Sequence, residues 1–140
     1  MPEKGKKNVS RILSDFAGRW KIERDITPAS GPVARFLGFA EWRAEDGLMH
    51  YIEKGNLEIA GQTPMMAERR YRWDADLNIY FDDGRFFHQL PALGGDATHW
   101  CDPDQYDATY DFTHWPQWSC TWRVRGPRKD YTLHSQYSKT

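Results

Sequence analysis

Cysteine is nearly absent from this sequence, which has only Cys101 and Cys120 among 140 residues. The two residues form no CxxC pair, so the sequence predicts neither a disulfide framework nor a zinc site. The first residues lack the apolar run of a signal peptide. We therefore expect free thiols and a cytoplasmic protein.

Long hydrophobic runs and an excess charge of one sign are also lacking. No apolar stretch approaches the roughly 18 residues of a membrane span. The 19 basic residues nearly balance the 20 acidic ones, which disfavours a membrane surface or a nucleic acid as an electrostatic partner. Phosphate loops, dinucleotide fingerprints and Gly-x-Ser-x-Gly elbows are missing as well, and this excludes the common nucleotide-dependent classes.

Aromatic residues, in contrast, are abundant: Trp, Tyr and Phe occur seven times each and make up 15% of the chain. Such residues favour strands, and they can line a cavity with an apolar wall that still carries hydroxyl and indole donors. A chain of this length corresponds to one domain and buries roughly 68 to 70% of its unfolded surface. We predict a disordered basic tail over residues 1–7 and a single domain over residues 8–140.

A short helix is predicted before the first strand, with Asn8 or Ser10 as its N-cap. Its apolar face comprises Val9, Ile12, Leu13 and Phe16. Gly18 and Trp20 open the following strand, where the glycine permits close backbone approach and the indole can plug an end of a barrel. The helix and Trp20 are therefore expected to close one end of the fold, as structural rather than ligand-binding elements.

From Gly18 onward the hydrophobic pattern has a period of two and is interrupted by turn signals every ~8–12 residues. The pattern predicts about ten short antiparallel strands joined by hairpins. Their expected ranges are 18–27, 36–42, 49–57, 65–73, 77–81, 85–90, 98–101, 106–112, 118–125 and 131–137. We predict an all-β, up-and-down barrel, with a sandwich as the alternative.

Five segments carry a resemblance to a known family. They are Phe-x-Gly-x-Ala at 36–40, Arg-x-Tyr-x-Trp at 69–73, Phe-x-Asp-Gly-Arg-x-Phe-His at 81–88, His-x-Cys-x-x-Asp-x-Tyr at 99–106, and Trp-x-Val-x-Gly-Pro-x-Lys-Asp-Tyr at 122–131. Their order and spacing resemble a family of lipocalin-like, calycin-type domains of unknown function. The resemblance spans residues 14–138 and implies the barrel, without implying a ligand.

Strand alternation also predicts a polar set inside the barrel. If the lumen contains Trp20, Phe36, Tyr51, Tyr71 and Phe86, the same registers direct ten polar residues inward. These are Arg24, Glu53, Arg69, His88, His99, Tyr106, Tyr110, Tyr131, Ser135 and Tyr137. An unpaired buried charge costs several kcal/mol, so the charged members need partners or a ligand.

Arg69 is the predicted anchor for a small, partly apolar, anionic ligand, because a guanidinium can hold a carboxylate or phosphate through two hydrogen bonds. Glu53, His88 and several tyrosines would orient the ligand. The alternative is an ion pair between Arg69 and Glu53 on neighbouring strands. Lys129 would steer an anion inward if its turn lies at the open rim.

His88 and His99 carry the remaining alternatives. An imidazole whose unperturbed pKa is near ~6.5 can act as a general acid or base, or ligate haem iron. One alternative is therefore an enzyme for isomerisation or hydrolysis, with His88 as base and Arg69 stabilising an oxyanion. A haem-binding barrel is another. A buried histidine satisfied by a neighbouring hydroxyl is the simpler interpretation. No metal site and no resident cofactor are predicted.

A barrel with a filled interior that only binds other proteins is the third class. Trp115 and Trp118 are predicted to be exposed at the rim, as either a homodimer patch or a lid. Whether the protein is an enzyme is left open by the sequence.

Overall fold

The computed structural model describes residues 9–140. A 3-10 helix, Leu13–Phe16, precedes ten strands. The strands are β1 (Gly18–Pro28), β2 (Ala34–Glu45), β3 (Leu48–Ile59), β4 (Met65–Trp73), β5 (Asn78–Phe81), β6 (Phe86–Gln89), β7 (Gly95–Cys101), β8 (Asp104–Asp111), β9 (Trp118–Arg125) and β10 (Asp130–Lys139). The predicted tail at 1–7 and the candidate cap Asn8 lie outside the described residues.

All ten strands belong to one antiparallel sheet in the order β6-β5-β4-β3-β2-β1-β10-β9-β8-β7. Consecutive strands pair throughout, except β6 with β7, and β1 also pairs with β10 over Trp20 to Pro28. The sheet curls into a nearly closed barrel whose two end strands, β6 and β7, meet without a hydrogen-bonded ladder. The all-β, up-and-down barrel is thus confirmed, and in residues 9–140 no helix is long and apolar enough to span a membrane.

Two glycines allow β2 and β3 to approach very closely. Gly38 and Gly55 are register partners, and a Cβ on Gly38 would lie 2.1 Å from the carbonyl oxygen of Lys54. A Cβ on Gly55 would lie 2.3 Å from the carbonyl oxygen of Leu37. Glycine is therefore required at both positions, because any side chain would collide with the backbone of the neighbouring strand.

The predicted amphipathic helix is wrong in detail. A single 3-10 turn forms instead, and the Asp15 carboxylate accepts a hydrogen bond from the Ile12 backbone N–H at 2.9 Å. Val9 and Ile12 are exposed, whereas Phe16 is fully buried. A four-residue turn is too short to bury a whole apolar helix face, so Phe16 is its one fully buried side chain.

Trp20 packs next to this turn. Its side chain is 1% exposed, and its Nε1 donates to the backbone oxygen of Phe16 at 2.8 Å. Gly18 has a φ of +102°, a conformation that favours glycine, at the bend that leads from the turn into β1.

Trp115 and Trp118 do not form the exposed rim that the sequence predicts. Trp118 is buried and Trp115 is half-buried. Both rings contact Phe16 edge-on, with centroid separations of 5.2 and 5.5 Å. The reason is that β9 begins at the closed end, where Trp118 pairs with Tyr137 on the inner face.

Phe86, predicted to point inward, is exposed, whereas Phe87 is buried. A β-bulge explains the difference, because the ladder between β5 and β6 skips Phe87: Ile79 pairs with His88 and Tyr80 with Phe86. The extra residue turns inward next to His88, so alternation is lost at this point.

The strands β5 and β6 are the shortest of the sheet, with four residues each. β4 pairs with β5 only over Tyr71 to Trp73, so its first six residues have no partner on that side. A surface pocket lies beside this part of β4 and is lined by Arg69, Tyr71, Phe81 and Asp82, among others.

Candidate functional site

A buried ion pair lies deep in the lumen. Two hydrogen bonds join Arg24 to Glu53: Nη1 to Oε2 at 2.5 Å and Nη2 to Oε1 at 2.9 Å. Arg24 Nε also donates to Ser135 Oγ at 2.7 Å. The two charged side chains are 6% and 1% exposed, so the two-point geometry and the hydrogen bonds around it must compensate for the loss of their hydration.

Two tyrosines extend the pair into a directional chain. The Tyr51 hydroxyl lies 2.5 Å from Glu53 Oε1 and 2.8 Å from the Tyr137 hydroxyl. Burial raises the pKa of Glu53, but the charge and hydrogen bonds of Arg24 outweigh it and hold that pKa below its ordinary value. The ionised carboxylate can only accept, so Tyr51 donates to it and must accept from Tyr137.

The alternative pair between Arg69 and Glu53 does not form, although the two residues are register partners on β3 and β4. Glu53 turns instead toward Arg24, two strands away. Gly38 and Ala40 on the intervening β2 have small side chains that leave space for this contact. Within residues 9–140, no carboxylate lies within 4.0 Å of the half-buried Arg69 guanidinium.

A chamber of about 190 Å³ opens at the upper end of the lumen. Its polar lining consists of Arg69, Tyr71, Tyr106, Lys129 and Tyr131. Its apolar lining consists of Phe81, Phe87, Trp122, Val124 and Leu133. We call this space the upper chamber.

Lys129 is the second cation of the upper chamber. Its Nζ forms a 3.0 Å ion pair with Asp104 and donates to the Tyr106 hydroxyl at 3.3 Å. The hydrogen bond with Asp104 raises the pKa of Lys129. Lys129 is therefore partly neutralised, and Arg69 carries the uncompensated charge.

A much smaller space of about 20 Å³ lies below, and we call it the lower chamber. It is lined by the ion pair and by Tyr51, Tyr110, Cys120 and Tyr137, among others. Arg69, Tyr71 and Trp122 line both chambers. The rings of Tyr71 and Trp122, with centroids 6.2 Å apart, form the partition between them.

His88 is a satisfied buried histidine. Its Nε2 lies 2.7 Å from the Tyr110 hydroxyl, whose oxygen also accepts from Trp122 Nε1 at 3.2 Å. A tyrosine oxygen can accept two hydrogen bonds, so the tautomer of the imidazole decides which of the two groups donates in the contact between His88 and Tyr110. Burial, followed by the charge of His99, lowers the pKa of His88 to about 4.

The structure groups the predicted ligand-binding residues in three places. The upper chamber contains Arg69, Tyr71, Tyr106 and Tyr131. The lower chamber contains Arg24, Glu53, Tyr110 and Tyr137, besides the shared residues. His88 and His99 line neither chamber but a narrow gap between β6 and β7, where the Phe86 and His99 rings are 5.7 Å apart.

Sequence reasoning omitted several lining residues from the predicted ligand-binding set: Phe81, Phe87, Trp122 and Cys120. Trp122 and Cys120 lie on the same face of β9, so strand alternation could have identified both. Phe87 could not be identified in this way, because the β-bulge changes the direction of its side chain.

Cys120 is buried and Cys101 half-buried, and both thiols are free. Burial raises the pKa of Cys120 to about 12, which leaves this thiol unreactive. Within residues 9–140, no cluster of three acidic, histidine or cysteine side chains is arranged to hold a metal ion.

One meander of antiparallel strands around an aromatic lumen defines a lipocalin-like barrel. A family model described as "Family of unknown function (DUF6314)" matches residues 16–139, and the chain belongs to this family. Among solved structures, the chain is similar to the S-type phycobiliprotein lyase CPES from Guillardia theta, with a TM-score of 0.63 and 9% identity, covering 100% of this chain and 99% of that one. The similarity shows the fold. No curated protein matches the chain.

Proposed function

We propose that this barrel binds a small amphipathic anion in the upper chamber, with the anionic group on Arg69. The observation that carries the proposal is the contrast between the two lumenal arginines. Arg24 is neutralised by Glu53 at 2.5 Å, whereas Arg69 faces the chamber without a carboxylate within 4.0 Å in the described chain. A half-buried guanidinium without a counter-ion is suited to a carboxylate or phosphate.

The walls of the upper chamber define the other half of the ligand. Phe87 stacks on Phe81 at a centroid separation of 4.6 Å and meets Trp122 edge-on at 5.2 Å. Tyr106 lies 4.9 Å from the same Phe87 ring. Such a surface favours an apolar, planar body, because aromatic pairs add offset-stacked and edge-on attraction to the burial of area.

The volume of about 190 Å³ limits the size of the ligand. Pockets for drug-sized molecules span ~300–1,000 Å³, so this chamber suits a single ring with a short acidic arm. The fold that the chain shares with a phycobiliprotein lyase supports a ligand-handling use of the lumen. The enzyme and haem alternatives stay untested, and neither is favoured here because no histidine lines the chamber.

The test is calorimetric titration with phenylpropanoate of the wild type, Arg69→Gln and Arg70→Gln. Arg69→Gln should weaken binding about 10- to 100-fold, because hydrogen bonds to a charged group contribute ~1.5–3 kcal/mol. Arg70 is the matched control: it is the next residue on β4, points outward and pairs with Glu68.

Binding that Arg69→Gln leaves unchanged would overturn the proposal, as would an equal loss in Arg70→Gln. Phenylpropanamide, the uncharged amide of the same acid, should bind the wild type and Arg69→Gln alike. This ligand-side comparison separates loss of the anion contact from general damage to the chamber.

A further inference from the structure

We infer that the upper and lower chambers form one ligand site, and that the ligand is an aryl carboxylate with a hydrogen-bond donor, such as a phenolic hydroxyl, at the end opposite its acid. The inference rests on the proposed function, because Arg69 holds the acid. What it adds is the chemistry at the deep end of the lumen.

The two chambers are separated by side chains and not by backbone. Arg69, Tyr71 and Trp122 line both spaces. Tyr71 is half-buried and packs through ring contacts, with centroids 6.1 Å from Phe87 and 6.2 Å from Phe81. A rotation of this ring would join the two spaces, so Tyr71 controls how deeply a ligand enters.

The deep end has one spare acceptor. Tyr51 donates its proton to Glu53, so the Tyr137 hydroxyl must donate to the Tyr51 oxygen. No donor within residues 9–140 hydrogen-bonds to the Tyr137 oxygen in return. Tyr110 differs, because its oxygen already accepts from Trp122 Nε1 and its hydroxyl also contacts His88 Nε2. Tyr137 lines the lower chamber, where no donor of the described residues bonds to this oxygen; Trp118, whose buried Nε1 also has no partner there, lines the same space without a hydrogen bond to it.

The polar side chains around the lower chamber also support a ligand that reaches Tyr137. A lumen that served only for packing would be expected to contain apolar side chains here, because a buried ion pair is often no more stable than a hydrophobic substitute. Instead, Arg24, Glu53 and Ser135 fix the tyrosine chain in one direction. An incoming hydroxyl or N–H would complete the chain at Tyr137, whereas an ether or a halogen would not.

The test compares three probes of similar shape: phenylpropanoate, para-fluorophenylpropanoate and para-hydroxyphenylpropanoate. The hydroxylated probe should bind the wild type about 3- to 10-fold more tightly than the other two, the range that one net hydrogen bond supplies. Tyr137→Phe should abolish this preference. It keeps the ring that stacks on Trp118 at 4.0 Å, and Tyr51 still donates to Glu53.

Tyr131→Phe is the matched control, because Tyr131 lines the upper chamber only. It should leave the preference for the hydroxylated probe intact. If Tyr137→Phe does not fold, the fluoro and hydroxyl probes still decide the question on the wild type, since fluorine preserves the ring shape without a donor.

The outcomes separate the two proposals. Equal affinity of all three probes for the wild type overturns the inference and leaves anion binding intact. A preference that persists in Tyr137→Phe overturns the assignment of the deep contact to Tyr137. Failure of every probe to bind the wild type overturns both proposals.

Discussion

Acidification should weaken the fold at His88, the most deeply buried of the histidines whose pKa is lowered. Its pKa is about 4 in the folded protein and 6.5 in the unfolded chain. The unfolded state therefore takes up a proton first as the pH falls, and stability declines between these two values. Above the unfolded pKa the contribution is constant, and below the folded pKa it is fully lost.

The magnitude follows from the difference between the two pKa values. At ~1.36 kcal/mol per pH unit, the full contribution is about 3 kcal/mol, of which about 2 kcal/mol is lost on going from about pH 8 to about pH 5. The side chain is 4% exposed, so solvent screening is small. Glu53, whose pKa is depressed, loses its contribution at lower pH, below the measured interval.

The assay is urea unfolding of the wild type and His88→Gln at pH ~8 and ~5, with the free energy of unfolding extrapolated to water. Glutamine retains an acceptor for the Tyr110 hydroxyl and removes the titrating group. The pH dependence of His88→Gln should be smaller by about 2 kcal/mol. Equal pH dependence in the two proteins would refute the reasoning.

The other predictions concern the packing of the barrel. Gly38→Ala should destabilise the fold by at least about 2 kcal/mol or prevent folding, because its Cβ would lie 2.1 Å from the Lys54 carbonyl oxygen; a thermal unfolding midpoint within a few degrees of wild type contradicts this. Glu53→Gln should cost about 3–5 kcal/mol, because it leaves the Arg24 charge buried without a partner. Glu41→Gln, on the exposed face beside Arg43, is its control and should change the unfolding free energy by less than about 1 kcal/mol.

Local sequence patterns predicted most of the strands because each strand needs only its own alternation and the turns around it. Alternation within the predicted strands places four aromatic side chains inside the barrel, and the structure has them there: Trp20, Tyr51, Tyr71 and Tyr110. Alternation failed at Phe86 and Phe87, since a bulge depends on how two strands pair. It also could not show that β7 begins as early as Gly95.

The candidate site was predictable in its members and not in its connections. Strand alternation placed Arg24, Glu53 and Arg69 in the lumen, and the order of the strands left an ion pair between Glu53 and Arg69 as an alternative to a ligand on Arg69. The structure pairs it with Arg24 across β2. Side-chain reach over small residues, which no linear pattern encodes, decided the partner and left Arg69 without a carboxylate within 4.0 Å in the described residues.

The sequence by itself determined an all-β barrel of about ten antiparallel strands with an aromatic interior, because strand periodicity, turn residues and composition act locally. Only the tertiary structure decided which buried charges neutralise each other, how the lumen divides into two chambers, and that His88 is held by Tyr110 away from both. These features depend on distances between strands far apart in the chain, and hydrogen bonds and ion pairs form only where such distances are short.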